Sequence, residues 1–229
     1  MINSMTEFEL FKAELTKGFS EIKLTPEEAE IKLFFQFLNI FKKWSERINL
    51  STIQDQKEII YKHFVDSLVV LPLLKGCTTI VDVGSGGGFP GIPIKIMKPS
   101  CSVYLLETRE KKTTYLKHVA RTLGLNKTYV VTNNIENLKQ DALIEIFGDK
   151  KVDAVLFRAL KPSVKMLQNL KPILSEKGKI LFYGAQEETA SKLKAQLAPD
   201  FHLEAVKQEK ITNFCRTIYS IVSIPSSPT

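Results

Sequence analysis

The stretch Thr79-Ile-Val-Asp-Val-Gly-Ser-Gly-Gly-Gly-Phe-Pro-Gly91 constrains the fold more than any other part of this chain. Ile80, Val81 and Val83 form a β-branched run that predicts a buried strand. The strand runs into glycines at 84, 86, 87, 88 and 91, and Ile92, Ile94, Ile96 and Met97 predict a short helix returning onto a sheet. Glycines are required where a chain turns tightly and a ligand approaches the backbone, because a Cβ would fill that space. N–H groups delivered near a helix N-terminus suit a bound nucleotide.

The rest of the chain arranges itself around this loop. Residues 1–75 are expected to form an N-terminal helical lid. Thr6-Glu-Phe-Glu9 has capping-box spacing, with Gly18 expected to end that helix; Thr25-Pro-Glu-Glu28 repeats the start signal. Ile31, Phe34, Phe35, Leu38, Phe41 and Ile48 follow at helical spacing, and a third helix is expected over about residues 56–71. From residue 78, β-branched runs at 79–83, 102–107, 128–132, 152–157 and 178–183 alternate with helical stretches at about 91–97, 110–123, 135–146 and 163–174. This rhythm predicts an α/β fold with a parallel sheet covered on both faces. One more helix and the runs 201–206 and 214–223 would add an antiparallel pair, giving seven strands in residues 76–224, with 225–229 a frayed tail.

Composition bounds the partners. The net charge of +7 and pI near 9.2 favour an anionic partner. Cys77, Cys101 and Cys215 are scattered without metal-ligand spacing, so no metal is expected and a reducing cytoplasm fits. No apolar run approaches a membrane span, no signal core precedes Glu7 and Glu9, and no unassigned apolar stripe demands a second copy. A soluble, monomeric, cytoplasmic protein is expected.

Two nucleotide cofactors fit the loop. Gly86-x-Gly88-x-x-Gly91 satisfies the dinucleotide fingerprint. S-adenosylmethionine is favoured by the alternation Asp82-x-Gly84-x-Gly86, by Pro90 and Pro93, which interrupt the helix start, and by the two extra C-terminal strands. Glu107, ending the second strand, can accept from both ribose hydroxyls of either cofactor. Ile135 could pack on the adenine, with Glu136 beside it.

Asn49-Leu-Ser-Thr-Ile53, Lys62-His-Phe-Val-Asp-Ser-Leu68, the loop continuing through Gly88-Phe-Pro-Gly-Ile-Pro93, Lys111-Lys112 and Arg158-Ala159 occur in an order that resembles a known family. It is the bacterial methyltransferase family that makes 7-methylguanosine in 16S ribosomal RNA, also called glucose-inhibited division protein B, and the likeness spans roughly residues 25–185. The resemblance implies a Rossmann-like class I methyltransferase sheet and S-adenosylmethionine contacts at Gly84, Phe89, Ile135, Glu136 and Arg158. The chain departs from the family's usual serine at Phe157, arginine at Asn134 and lysine at Tyr183.

The chemistry is undemanding. Guanine N7 carries a lone pair and no proton, so alignment and exclusion of water suffice and no general base is expected. Leu156-Phe-Arg-Ala-Leu160 lacks the Asn/Asp-Pro-Pro-aromatic run of exocyclic-amine methylases, and none of the three cysteines follows a proline as in carbon methylases. Arg158 is the side chain singled out, to hold the methionine carboxylate or organise the target pocket. His63 and Asp66 share a helix face, which by itself reads as a hydrogen-bonded surface pair. Arg109, Lys111, Lys112 and Arg121, with Lys117 and Lys127, form a basic run that is either an RNA-binding face or a solvated helix face. Rival readings are a nicotinamide-dependent oxidoreductase, a methyltransferase of a protein or small molecule, and an RNA-binding module without turnover. The expected acceptor is 16S ribosomal RNA or the small ribosomal subunit.

Overall fold

In the computed structural model, β1 (Thr79–Val83), β2 (Ser102–Glu107), β3 (Thr128–Thr132), β4 (Val152–Arg158), β5 (Leu174–Gly184), β6 (Phe201–Ile211) and β7 (Phe214–Ser223) form one sheet in the order β3-β2-β1-β4-β5-β7-β6. The first five pair in parallel, β7 runs antiparallel to β5, and β6 antiparallel to β7. The structure describes residues 5–138, 140–184, 187–212 and 214–223; the expected tail 225–229 lies outside them. Among the described residues no helix is long and apolar enough to cross a membrane.

Side chains alternate across a strand, so each parallel strand supplies two cores. Ile80, Val103, Leu105, Ala154, Leu156 and Leu181 face α1 (Glu7–Glu21), α2 (Glu28–Ser45), α5 (Gly91–Met97) and α6 (Glu110–Thr122). Val81, Tyr104, Leu106, Val155, Phe157 and Phe182 face α7 (Gln140–Phe147), α8 (Val164–Leu170) and α9 (Glu187–Leu197). The N-terminal helices therefore share one continuous core with the sheet. Phe34, Phe37 and Phe41, spaced three and four apart on α2, reach Phe64 and Phe89 at ring separations of 5.2 to 5.6 Å.

Several boundaries differ from the sequence reading. Gly18 lies inside α1, not at its end; a Cβ there would come within 2.8 Å of Val65 Cγ2, so the glycine permits close packing. The cap of α2 is Glu27, in a reciprocal pair with Glu30, and not Thr25. The third helix is composite: α3 (Gln56–Ile59) continues into a π-helical segment (Ile60–Val65) and the single turn α4 (Asp66–Leu68). β5 begins at Leu174, and the expected helix over 135–146 is a 3-10 turn, Ile135–Asn137, followed by α7.

Candidate active site

A cavity of about 820 Å³ opens at the carboxyl ends of β1, β2, β4 and β5, where an open α/β sheet places its ligands. Its floor is the glycine loop. Gly84, Gly86 and Gly88 have φ of +77°, +53° and +91°, a region that a side chain strains. Gly91 is glycine for space: a Cβ there would lie 2.2 Å from Leu105 Cδ2 and 2.8 Å from Asp82 Oδ2.

Two carboxylates fix this loop. Glu107 Oε2 accepts the Gly86 N–H at 3.0 Å, while Oε1 accepts the N–H groups of Thr108 (2.8 Å) and Arg109 (3.0 Å). The lightly used Oε2 keeps acceptor capacity toward the cavity, as a ribose hydroxyl requires. Asp82 lies beneath the loop with no exposed surface; its Oδ2 accepts the Gly91 N–H at 3.0 Å, and its buried Oδ1 has no hydrogen-bond partner. Burial pushes the Asp82 carboxyl up to about 7.

Phe89 closes the loop against the N-terminal helices. The His63 ring stacks on it, centroids 4.5 Å apart at 17°, and the Arg158 guanidinium lies 5.8 Å from its centroid. His63 Nε2 lies 2.9 Å from Ser51 Oγ, and its Nδ1 faces an Arg158 Nη2 at 3.4 Å. Because an arginine only donates, Nδ1 is the acceptor and Nε2 carries the hydrogen. Desolvation first, and Arg158 second, push the His63 pKa down to about 3, so the ring is neutral.

Arg158 is held from the same helix. Its Nε donates to Asp66 Oδ2 at 2.9 Å, its Nη2 to the Lys62 carbonyl. Arg216, on β7, donates to Asp66 from Nε (2.5 Å, to Oδ1) and from Nη2 (2.9 Å, to Oδ2). Asp66 is fully buried between the two guanidiniums.

Of the residues singled out from sequence, Gly84, Gly86, Phe89, Glu107, Ile135, Arg158, Arg109 and Lys112 line the cavity together. Glu136 does not; it turns away to accept from Ser163 Oγ at 2.5 Å, which anchors the turn that presents Ile135. Lys111 and Arg121 are exposed on α6 outside the cavity lining. The three departures have local partners: Asn134 Oδ1 accepts the Glu136 N–H, Tyr183 donates from its hydroxyl to the Ser67 carbonyl at 2.8 Å, and Phe157 is buried in the second core. Sequence reasoning missed Arg216, whose signal is one arginine within the apolar run of β7, and took Asp66 for a surface residue.

Known proteins resemble this chain in sequence and in fold. A family model described as rRNA small subunit methyltransferase G matches residues 30–219. A ribosomal RNA small subunit methyltransferase G of Chromobacterium violaceum is 35% identical over 161 residues, covering 70% of this chain and 75% of the relative. One from Syntrophotalea carbinolica is 34% identical over 162 residues, covering 71% and 72%. A solved SAM dependent methyltransferase from Aquifex aeolicus shares the fold with a TM-score of 0.55 at 17% identity, over 81% of this chain and 98% of that one. With the family model matched across most of the chain, the protein belongs to the rRNA small subunit methyltransferase G family.

Proposed function

We propose that this protein transfers a methyl group from S-adenosylmethionine to N7 of a guanine in 16S ribosomal RNA, acting on the RNA or on the small subunit. The observation that supports it is a nucleotide cradle joined, in one cavity, to an arginine-bearing end whose histidine is held neutral. The residues fit the cofactor. Positive-φ glycines leave room for its backbone-facing side, Glu107 Oε2 retains acceptor capacity for the ribose, and Ile135 offers an apolar surface for the adenine. When bound, S-adenosylmethionine supplies a methyl group on a charged sulfonium leaving group.

The chain's own residues then align and shield. Phe89, stacked on His63, fixes the loop and keeps water from one wall of the cavity. Arg158, its orientation set by Asp66 and the Lys62 carbonyl, presents a cation toward the methionine end. A ring nitrogen without a proton needs no base, and a histidine with a pKa about 3 offers none at neutral pH. Residues 1–75 act as the lid, contributing Leu50 and His63 to the wall. Arg109 and Lys112 at the mouth of the cavity, with Lys111 and Arg121 exposed further along α6, offer cations to RNA phosphates. In this reading the enzyme works in the cytoplasm, as a monomer and without a metal ion.

The test uses methyl-labelled S-adenosylmethionine and small subunits lacking native methylation, followed by digestion to nucleosides. Label in 7-methylguanosine is expected. Label in another nucleoside, or none, overturns the assignment.

A further inference from the structure

The Asp66 cluster holds more positive charge than it neutralises. Two guanidiniums, with side chains 12% and 13% exposed, share one fully buried carboxylate. An excess charge largely withdrawn from water at a cavity wall is best offset by an anion that enters the cavity. The two arginines differ in what they have left to give. Arg158 also serves the Lys62 carbonyl and approaches Ser67 Oγ at 3.5 Å. Arg216 makes both of its hydrogen bonds to Asp66, through Nε and Nη2, and its Nη1 has no partner among the described residues. The guanidinium is therefore held along one edge, its Nη1 is unengaged, and the residue belongs to the cavity wall.

Sheet order says which ligand it can reach. Glu107 is on β2, whereas Arg216 is on β7, four strands away across β1, β4 and β5. At about 4.8 Å per strand this is roughly 19 Å. Arg216 thus lies on the side of β4 opposite the adenosine-binding residues. Charge decides between the base and its backbone. Methylation at N7 leaves the guanine positively charged, so an excess cation against the base would oppose the reaction; against a phosphate it favours binding at every stage.

We propose that Arg216 binds an RNA phosphate beside the target guanosine, and that Asp66 is the positioning residue which holds its guanidinium for that contact. This rests on the reading that the acceptor is ribosomal RNA. Asp66 fixes two N–H vectors of the arginine, so the free edge is already oriented when the RNA arrives.

The test compares Arg216→Gln, Arg216→Lys and Asp66→Asn with the wild-type protein, each checked for a native circular dichroism spectrum. Arg216→Gln should flatten the slope of log Kd for RNA against log salt by about 0.7 to 0.9, the effect of one lost phosphate contact. It should raise KM for ribosomal RNA about tenfold or more with the Kd for S-adenosylmethionine unchanged. Arg216→Lys should restore the salt slope, since it keeps the charge, but only part of the KM. Asp66→Asn should keep the slope and lower kcat/KM for RNA. An unchanged slope and KM in folded Arg216→Gln overturns the inference, as does a loss of cofactor affinity equal to the loss for RNA, which would assign the arginine to the methionine carboxylate. Should Arg216→Gln misfold, Arg216→Met, which removes the charge but keeps the packing of the stem and leaves Asp66 paired with Arg158, is read in the same way. A wild-type protein that fails to label ribosomal RNA overturns the functional reading instead; the salt slopes then decide the phosphate contact on their own.

Discussion

Asp82→Asn should abolish the pH dependence of stability that this buried carboxyl imposes. The wild-type side chain has no exposed surface and one oxygen without a partner, and burial moves its pKa from 3.8 to about 7. The unfolded chain loses this proton near pH 4, the folded chain only near 7. Between those values the native state binds more protons, so stability falls as pH rises and levels off above about 7. At about 1.36 kcal/mol per tenfold, the full penalty is roughly 4 kcal/mol. The variant carries no such charge, and its amide oxygen can still accept the Gly91 N–H. Its NH₂, however, inherits the unpartnered position, at a cost of about 1–3 kcal/mol. The variant should therefore be the less stable form near pH 4 and the more stable form, by roughly 1–3 kcal/mol, at pH 8. Urea unfolding of both proteins at intervals from pH 4 to 8.5 measures the difference, in which all other titrating groups largely cancel. A difference constant across that range would refute the reasoning, because it would mean that the carboxyl ionises alike in the folded and unfolded chains.

Gly91→Ala places a methyl group 2.2 Å from Leu105 Cδ2 and should cost about 3 kcal/mol, read as a fall in the urea midpoint. Glu107→Gln sets an amide donor against the Gly86 N–H or the Thr108 and Arg109 N–H groups; affinity for S-adenosylmethionine by calorimetry should fall at least about tenfold. His63, held neutral, should show no titration of its ring resonances between pH 5 and 8. Because its folded pKa is lowered, its contribution to stability is complete above about pH 6.5 and is lost as pH falls toward 3, which acid unfolding of His63→Gln against wild type should reveal.

The parts of this fold that are legible in the sequence are those whose signal is local. β1, α5, β2, β3 and β7 have the ends that β-branched runs and helical spacing indicate, since each element carries its own pattern. The glycine loop is legible for the same reason: steric need at Gly84 or Gly91 excludes every other residue. Where the determinant is another segment, reading fails. Gly18 looks like a helix stop until Val65 is packed against it. Arg216 is 150 residues from Asp66, and no spacing rule connects them. A helix-face argument brings His63 and Asp66 together but takes the face for surface, because nothing local announces that the ends of β4 and β7 will cover it.

The π segment explains how one helix serves both ends of the cavity. In a regular α-helix the Asp66 N–H would donate to the Lys62 carbonyl. Here it points to the carbonyls of Tyr61 and His63, and the Lys62 carbonyl accepts from Arg158 instead. The widened turn thus turns a backbone group into a ligand for the arginine and puts three contacts to Arg158 within five residues: Lys62 through its carbonyl, His63 through Nδ1 and Asp66 through its carboxylate. His63 stacks on Phe89 of the glycine loop, while Asp66 reaches across to Arg216 and the neighbouring Ser67 carbonyl to Tyr183. A change at the glycine loop that displaces Phe89 must therefore move the residue stacked on it, and with it the segment that orients both guanidiniums. Single-turn π segments recur at functional sites; in this chain the irregular register frees the Lys62 carbonyl from the Asp66 N–H, and that carbonyl accepts from Arg158.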